Sequence, residues 1–417
     1  MKSMSLAAPD EMVAACGKKR FSPLYAALLV GAFLAGAVFA APHAAATTQE
    51  GAKSGKESGT SVALSQTADQ VSQQSAALSK AAQGYRSRLV LLGTAGGPTW
   101  YGEHSPHGIS SAVVVDGHAY IVDLGSGAYR QIRAAGIKPG AERAVFFTHL
   151  HSDHVIDTAS LLMYDPSARK RAKASLQVFG PGRRSVLPPL SKGLVGNPVI
   201  HPENPSAGTR DFVESLMAGL AADQNIRVRN EGVPDVRDFF QAHDIKLPDG
   251  VAIDPNVDTA PPMEPFFVWQ DERVKVSATL VPHGKVFPNF AYRFDTADGS
   301  VVFSGDTAVS ENLIRLAKGA DILVHEVIDP AWVSEIVGPK PWDARQVALS
   351  RQLLDAHTTP EEVGSVAQRA GVKTLVLSHL VPGDTPRERW LKAQENFSGK
   401  LIIGQDLQQI GVGKPRP

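Results

Sequence analysis

The sequence predicts an α/β fold, and three observations predict it. Short apolar runs of strand length alternate with segments carrying helix signals. Those runs are bounded by Gly-, Asp- or Ser-containing turns. Ligand-type side chains recur where the runs end, which is where open α/β sheets place their sites. The densest case is Thr148-His149-Leu150-His151-Ser152-Asp153-His154, an HxHxDH loop directly after the apolar stretch Ala144-Val145-Phe146-Phe147. Three imidazoles and a carboxylate crowded into one loop suit a pair of divalent cations that share neighbouring ligands.

The elements follow in order from the N-terminus. Lys18-Lys19-Arg20, the apolar run from Phe21 to Ala41 and small residues through Ala46 give the order of a secretory signal. Residues 1–46 are therefore expected to be a signal peptide, with Val38/Ala40 or Ala44/Ala46 flanking the cut, and the protein to be exported to the periplasm or secreted. Left uncut, residues 21–41 would serve as a membrane anchor, the one contact with a membrane that the sequence suggests. The single cysteine, Cys16, would leave with the signal, so every metal ligand of the mature chain must be His, Asp or Glu. Residues 47–86, rich in Ser, Ala, Gln, Thr and Gly, read as a linker with a helical stretch around Thr67 to Ala82.

The folded domain is expected over 87–417, long enough for a large core at 43% hydrophobic content over the chain. It opens with the strand Arg88 to Leu92 and the turn Gly93-Thr94-Ala95-Gly96-Gly97-Pro98, which lacks the Lys-Ser/Thr of a phosphate-binding loop and reads as a tight turn at the rim of a site. Ser111 to Val115 and Ala119 to Val122 flank Asp116-Gly117, a hairpin signal. A helix over Ala128 to Ala135 stops at Gly136, and the strand Val145 to Phe147 delivers the HxHxDH loop. After a helix from Val155 to Tyr164, residues from about 165 to 281 leave the αβ rhythm, are dense in Pro and Gly, and read as an inserted cap. Asn289 to Asp295 and Ser300 to Phe303 form a second hairpin ending in Ser304-Gly305-Asp306. A helix over Val309 to Lys318 leads to the strand Asp321 to His325. Thr359-Pro360-Glu361-Glu362 is a helix start with Pro at its first position and a capping-box Glu; that helix ends at Gly371, and the strand Lys373 to Leu377 presents Ser378-His379.

Four strand-end residues thus join the HxHxDH loop: His283 in Val-Pro-His-Gly, Asp306 in Ser-Gly-Asp, His325 in Leu-Val-His-Glu and His379 in Leu-Ser-His. With them the sequence resembles the metallo-β-lactamase superfamily, in the branch that contains ribonuclease Z and related arylsulfatases and phosphodiesterases. The resemblance runs from Arg88 to the C-terminus apart from the insertion, and extends to Phe290-Ala291-Tyr292-Arg293-Phe294 and Ile403-Gly404-Gln405-Asp406. It implies an αββα sandwich. It implies that His149, His151 and His283 hold one metal, that Asp153, His154 and His379 hold a second, and that Asp306 bridges them. The ions would be zinc first, with manganese or iron as alternatives. Asp153 would also orient the attacking hydroxide, and Asp123, in Val-Asp-Leu-Gly, would support the ligand loop. His325-Glu326 resembles the family's HEAT run, which implies that His325 is the general acid and that Glu326 tunes it; His357, before Thr358-Thr359, would face the substrate. A homodimer is the family's common assembly.

Two features argue against tRNA as substrate: the expected export would remove the protein from tRNA, and 22 residues separate His283 from Asp306, too few for the long basic arm that short ribonucleases Z carry between those motifs. The balance of 42 basic and 42 acidic residues also weakens bulk nucleic-acid binding without excluding a local basic groove. The expected partner is a small-molecule phosphodiester, sulfate or related ester. A lactone or carboxylic ester is the alternative, then a ribonuclease Z-like endonuclease, and last a non-catalytic metal-binding protein of the cell envelope. His104 and His107 are not needed as ligands, and the five tryptophans read as packing, with Trp100 and Trp269 nearest the rim.

Overall fold

The structure, a computed structural model, describes residues 73 to 416 apart from 74, 100, 103, 104, 165, 174, 185, 192, 194, 196, 197 and 252. The expectations placed on residues 1–46, on most of the linker, and on His104 and Trp100 lie outside the described residues. Residues 75 to 82 are helical, which meets the C-terminal half of the expected linker helix. Among the described residues, no helix is long and apolar enough to cross a membrane.

Strand β1 (Tyr85–Gly93) alternates cleanly. Leu89 and Leu91 enter one core while Val90 and Leu92 enter another, as the two-residue side-chain period of a strand requires when both faces are covered. Then come β2 (Ser110–Val115), β3 (His118–Val122), helix α1 (Ala128–Ala134) and β4 (Glu142–Phe146). Short helices α2 (Ser152–Val155), α3 (Thr158–Met163) and α4 (Pro166–Ala172) follow, so the single helix expected from Val155 to Tyr164 is broken in two. Strand β5 (Leu176–Pro181), helices α5 (Thr209–Gly219) and α6 (Ala221–Asn230), and strands β6 (Phe240–Ile245), β7 (Phe266–Gln270) and β8 (Val274–Leu280) all fall in the segment expected to be a cap. That expectation is corrected: four strands of this segment complete the two sheets, and the inserted material is the stretch between β5 and β6 with its two helices and the stretch between β6 and β7. The hairpin β9 (Phe290–Thr296) and β10 (Ser300–Phe303), helix α7 (Glu311–Leu316), β11 (Ile322–Ile328), helices α8 (Pro330–Val337), α9 (Ala344–Leu354) and α10 (Pro360–Ala370), β12 (Thr374–Val381), α11 (Arg387–Trp390), β13 (Lys400–Ile403) and β14 (Gln409–Pro415) close the chain.

Among the described residues the strands form two seven-stranded sheets, ordered β14-β1-β2-β3-β4-β5-β6 and β13-β12-β11-β10-β9-β8-β7. Each sheet has three antiparallel pairings at one end, β14 to β3 in the first and β7 to β10 in the second, and three parallel ones at the other. The core between the sheets joins Leu89, Val113 and Phe146 of the first to Val276, Tyr292 and Phe294 of the second. Helices cover both outer faces, Ile132 of α1 and Val213 of α5 on the first and Leu313 of α7 and Val363 of α10 on the second. The layering is α/β/β/α, as the resemblance implied. Trp269 packs on Tyr120, Phe146 and Phe179 within this core and is not a rim residue.

Candidate metal centre

Strand ends from both sheets meet at one edge of the sandwich. The loop after β4 brings His149, His151, Asp153 and His154, the loop after β8 brings His283, the loop after β10 brings Asp306, and β12 itself carries His379. Between β11 and β12 the register jumps: His325 faces Leu377 and Val327 faces Leu380, so Glu326 opposes both Ser378 and His379. This bulge re-aims the histidine, whose backbone is left-handed at φ 53°. The two sheets close tightly at Gly305, φ +60°, where an added Cβ would stand 2.7 Å from the Phe290 carbonyl and 3.1 Å from Thr148 Cβ.

The seven side chains named from the sequence converge in two groups, His149, His151 and His283 in one and Asp153, His154, Asp306 and His379 in the other. Six of them are buried, and His151 is the exception. In the second group Asp306 Oδ1 lies 3.4 Å from His154 Nε2 and 3.2 Å from His379 Nε2, while Asp153 Oδ2 lies 3.4 Å from each of those nitrogens. Ligands held 2.0–2.2 Å from a tetrahedral ion stand roughly 3.3–3.6 Å apart, so these spacings fit. The other oxygen, Asp306 Oδ2, faces the first group at 4.0 Å from His149 Nε2 and 3.8 Å from His283 Nε2, and His283 Nε2 is 3.3 Å from His151 Nδ1. The carboxylate of Asp306 is thus divided between the groups, as a bridging ligand must be.

A second observation tests whether ions fit. His149 Nε2, His154 Nε2 and Asp306 Oδ1 are buried without a hydrogen-bond partner, a costly state for groups that are not otherwise coordinated. The opposite ring nitrogens are engaged: His149 Nδ1 with Thr148 Oγ1 (3.1 Å), His154 Nδ1 with Asp123 Oδ2 (2.8 Å) and His283 Nδ1 with the Ala356 carbonyl (2.9 Å). Such contacts fix tautomer and ring orientation for a metal. Asp123 also accepts from the Thr148 N–H (2.8 Å) and hydroxyl (2.9 Å), which places it as the support of the ligand loop.

Charge follows from burial. Burial and the neighbouring His154 and His151 push His149 well below its ordinary pKa, leaving a neutral ring. Burial opposes the ionised form of Asp306, yet His379 and His154 hold its carboxyl well below the usual range. For His154, burial opposes the charged form, but Asp306, Asp153 and Asp123 hold it well above the ordinary value. A neutral His149 beside an ionised Asp306 suits zinc and similar divalent ions, and His154 would give up its proton to an ion that took its Nε2.

The expected general acid is corrected. His325 is fully buried, its Nδ1 lies 2.7 Å from the Glu326 carbonyl, and it belongs to none of the converging groups. Leu323 and Val327, two residues to either side, lie in the core beneath the helices, whereas Ile322 and Val324 lie between the sheets. Strand alternation therefore turns His325 to the helix face and Glu326 to the site. Glu326 Oε1 accepts from the Thr307 N–H (3.1 Å) and the Thr358 N–H (3.0 Å), and Oε2 stands 3.2 Å from His357 Nδ1. The His357 ring lies 4.8 Å from that of His283 and parallel to that of His379 at 6.0 Å. Burial disfavours its charged form, but Glu326 raises its pKa to about 9. The sequence named both residues, and the structure brings them, rather than His325, to the converging groups. It missed the Gly97 N–H, which donates to Asp153 Oδ2 at 3.0 Å; the glycine-rich turn was the available signal. His107 is engaged 2.8 Å from Asp406, away from the cluster.

Comparison with known proteins agrees with this architecture. A family model described as a beta-lactamase superfamily domain matches residues 213–380, and one described as the metallo-beta-lactamase superfamily matches residues 105–186. A protein named ribonuclease Z from Mycolicibacterium paratuberculosis is 30% identical over 331 residues, covering 78% of this chain and 99% of that protein. Another of the same name from Mycobacterium bovis is 29% identical over 328 residues, covering 78% and 98%. Among solved structures, the short form of human tRNase Z covers 78% of this chain and 100% of its own at 19% identity and a TM-score of 0.49. The chain belongs to the metallo-β-lactamase superfamily and is a metal-dependent hydrolase of that superfamily.

Proposed function

We propose that this chain hydrolyses phosphodiesters with the help of two divalent cations, zinc in the first place, one held by His149, His151 and His283 and one by Asp153, His154 and His379, with Asp306 shared. The observation that carries the reading is the division of Asp306 between the two groups, Oδ1 with one and Oδ2 with the other. A pair of such ions, when bound, supplies a water acidic enough to ionise near neutrality and neutralises charge building at phosphorus. Asp153 orients the attacking water, and its Oδ2 is steadied by the Gly97 N–H. His357, charged through its contact with Glu326, gives its proton to the leaving oxygen. A positioned acid matters for a poor leaving group such as a sugar alkoxide, which favours a phosphodiester over an activated ester or lactone; no contact favours a sulfate.

The name shared by the relatives supports a ribonucleotide chain as the substrate, against the expectation drawn from charge and hairpin length. The β9–β10 hairpin turns tightly at Asp298-Gly299, so any grip on RNA lies elsewhere than in an arm at that point. Export, read from residues 1–46 alone, would direct the enzyme to extracellular RNA or smaller phosphodiesters. The test is a panel of bis(p-nitrophenyl) phosphate, a short single-stranded RNA, p-nitrophenyl sulfate, an aryl carboxylic ester and a lactone, offered to the zinc-loaded chain. Turnover of the two phosphodiesters, abolished by Asp306→Ala, is expected. Turnover confined to the sulfate, ester or lactone would overturn the reading.

A further inference from the structure

We propose that the turn Gly93–Pro98 is a positioning element for the second cation's ligands, His379 and Asp153, and that Asp406 holds this turn in place from near the C-terminus. The proposal rests on the two-cation reading above and extends it from the Gly97 contact to Thr94, Gly96 and Asp406.

The turn is stitched to the chain beside His379. The Gly96 N–H donates to the Leu380 carbonyl (3.0 Å) and the Leu380 N–H donates to the Thr94 carbonyl (2.8 Å), which makes a bridge between Ala95 and Leu380. His379 has a left-handed backbone, φ 53°, that a residue with a Cβ keeps only where its surroundings over-determine it. These two hydrogen bonds are part of that surrounding. Its ring rests on Gly96, where an added Cβ would come within 2.4 Å of His379 Nδ1. Gly96 is not among the glycines with positive φ, so chain reversal does not account for it; the histidine ring does. One residue on, the Gly97 N–H donates to Asp153 Oδ2 at 3.0 Å and stands 3.4 Å from His379 Nε2. A single turn from the first sheet thus fixes one ligand on the second sheet and one in the HxHxDH loop.

The first cation's ligands are held by other groups. His149 engages Thr148 Oγ1 and His283 engages the Ala356 carbonyl. The turn itself is tied down by Asp406: Thr94 Oγ1 donates to Asp406 Oδ1 (2.9 Å), and Asp406 Oδ2 accepts from the His107 N–H (2.8 Å) and lies 2.8 Å from His107 Nδ1. The Ala95 N–H in turn donates to the His107 carbonyl at 3.0 Å. Strain on this chain of contacts would reach Asp153 and His379 and leave His149, His151 and His283 in place.

The full chain and its Thr94→Val, Thr94→Ser, Asp406→Asn and Gly96→Ala variants are loaded with zinc, and ion content and stepwise affinity are measured by chelator competition. The parent binds two ions. Thr94→Val, Asp406→Asn and Gly96→Ala keep the first and bind the second about 10- to 100-fold more weakly, the usual effect of losing a contact behind a ligand. Thr94→Ser, which keeps the hydroxyl, matches the parent. Thr94→Val and Asp406→Asn leave the cluster's own side chains intact and decide the matter if Gly96→Ala does not fold. Two ions bound by both as tightly as by the parent, or both ions weakened alike, overturns the proposal. A parent that binds fewer than two ions overturns the two-cation reading instead.

Discussion

In the proposed reaction His357 and Glu326 divide one task between them, and the division can be measured. Replacing His357 with Ala should lower kcat by about 10²- to 10⁴-fold on substrates with poor leaving groups and far less on p-nitrophenyl esters. Because Glu326 raises the pKa of His357, to about 9, the protonated donor is present at neutral pH and is lost as pH rises through that value. The alkaline limb of kcat on a poor leaving group should therefore vanish in His357→Ala; a limb that persists unchanged would assign the proton to another group. Asp123→Asn should weaken one ion by about 10- to 100-fold, since Asp123 orients His154 and the Thr148 N–H. At this scale the sequence was legible wherever ligand types cluster, because few other uses explain three imidazoles in one loop. It was misleading at His325-Glu326, because a strand turns neighbours to opposite faces and the sequence does not say which face meets the site.

The elements most legible in the sequence were those whose strand period or cap residues are unambiguous. The β2–β3 hairpin at Asp116-Gly117 and α10, with its Thr359–Glu362 capping box and left-handed Gly371, form as expected. Strands β5 to β8 were obscured because β6 and β7, at the sheet edges, are half-exposed, because β6 carries mixed polar residues, and because helices and Pro-rich loops interrupt them. The junction of β10 and β11 offers a stability test. Burial opposes ionisation of Asp321, but Lys373 and the Ser300 N–H, at 2.6 and 2.8 Å, lower its pKa. A depressed carboxylate stabilises the fold above its unfolded pKa and loses that contribution as pH falls through the folded value. Asp321→Asn should therefore cost about 1 kcal/mol near pH 7, a charge-assisted bond discounted for partial exposure, with the difference shrinking below about pH 4. Thermal unfolding at pH 7 and pH 3 checks the sign, and an equal deficit at both would refute it.

The ligands come from both sheets: four from the loop after β4 in one, and His283, Asp306 and His379 from the other. Ions bound there join the two halves of the molecule across their shared edge. Each site filled to about 1,000 times its Kd should add about 4 kcal/mol to stability, so chelation should lower the melting temperature, and Asp306→Ala should abolish most of that difference. An unchanged melting temperature on chelation would mean that the ions do not bind the native state tightly. The matching pairing order of the two sheets adds a mechanical consequence. Each sheet is laced along its length by its own hydrogen bonds, whereas side-chain packing, this cluster and a few hydrogen bonds, such as the Phe290 N–H to the Thr148 carbonyl and the pair between the turn after β1 and Leu380, cross between them. With ions bound as proposed, the cluster would be a clasp as well as a reaction centre, and a molecule pulled so as to slide one sheet over the other should yield at lower force once its ions are removed.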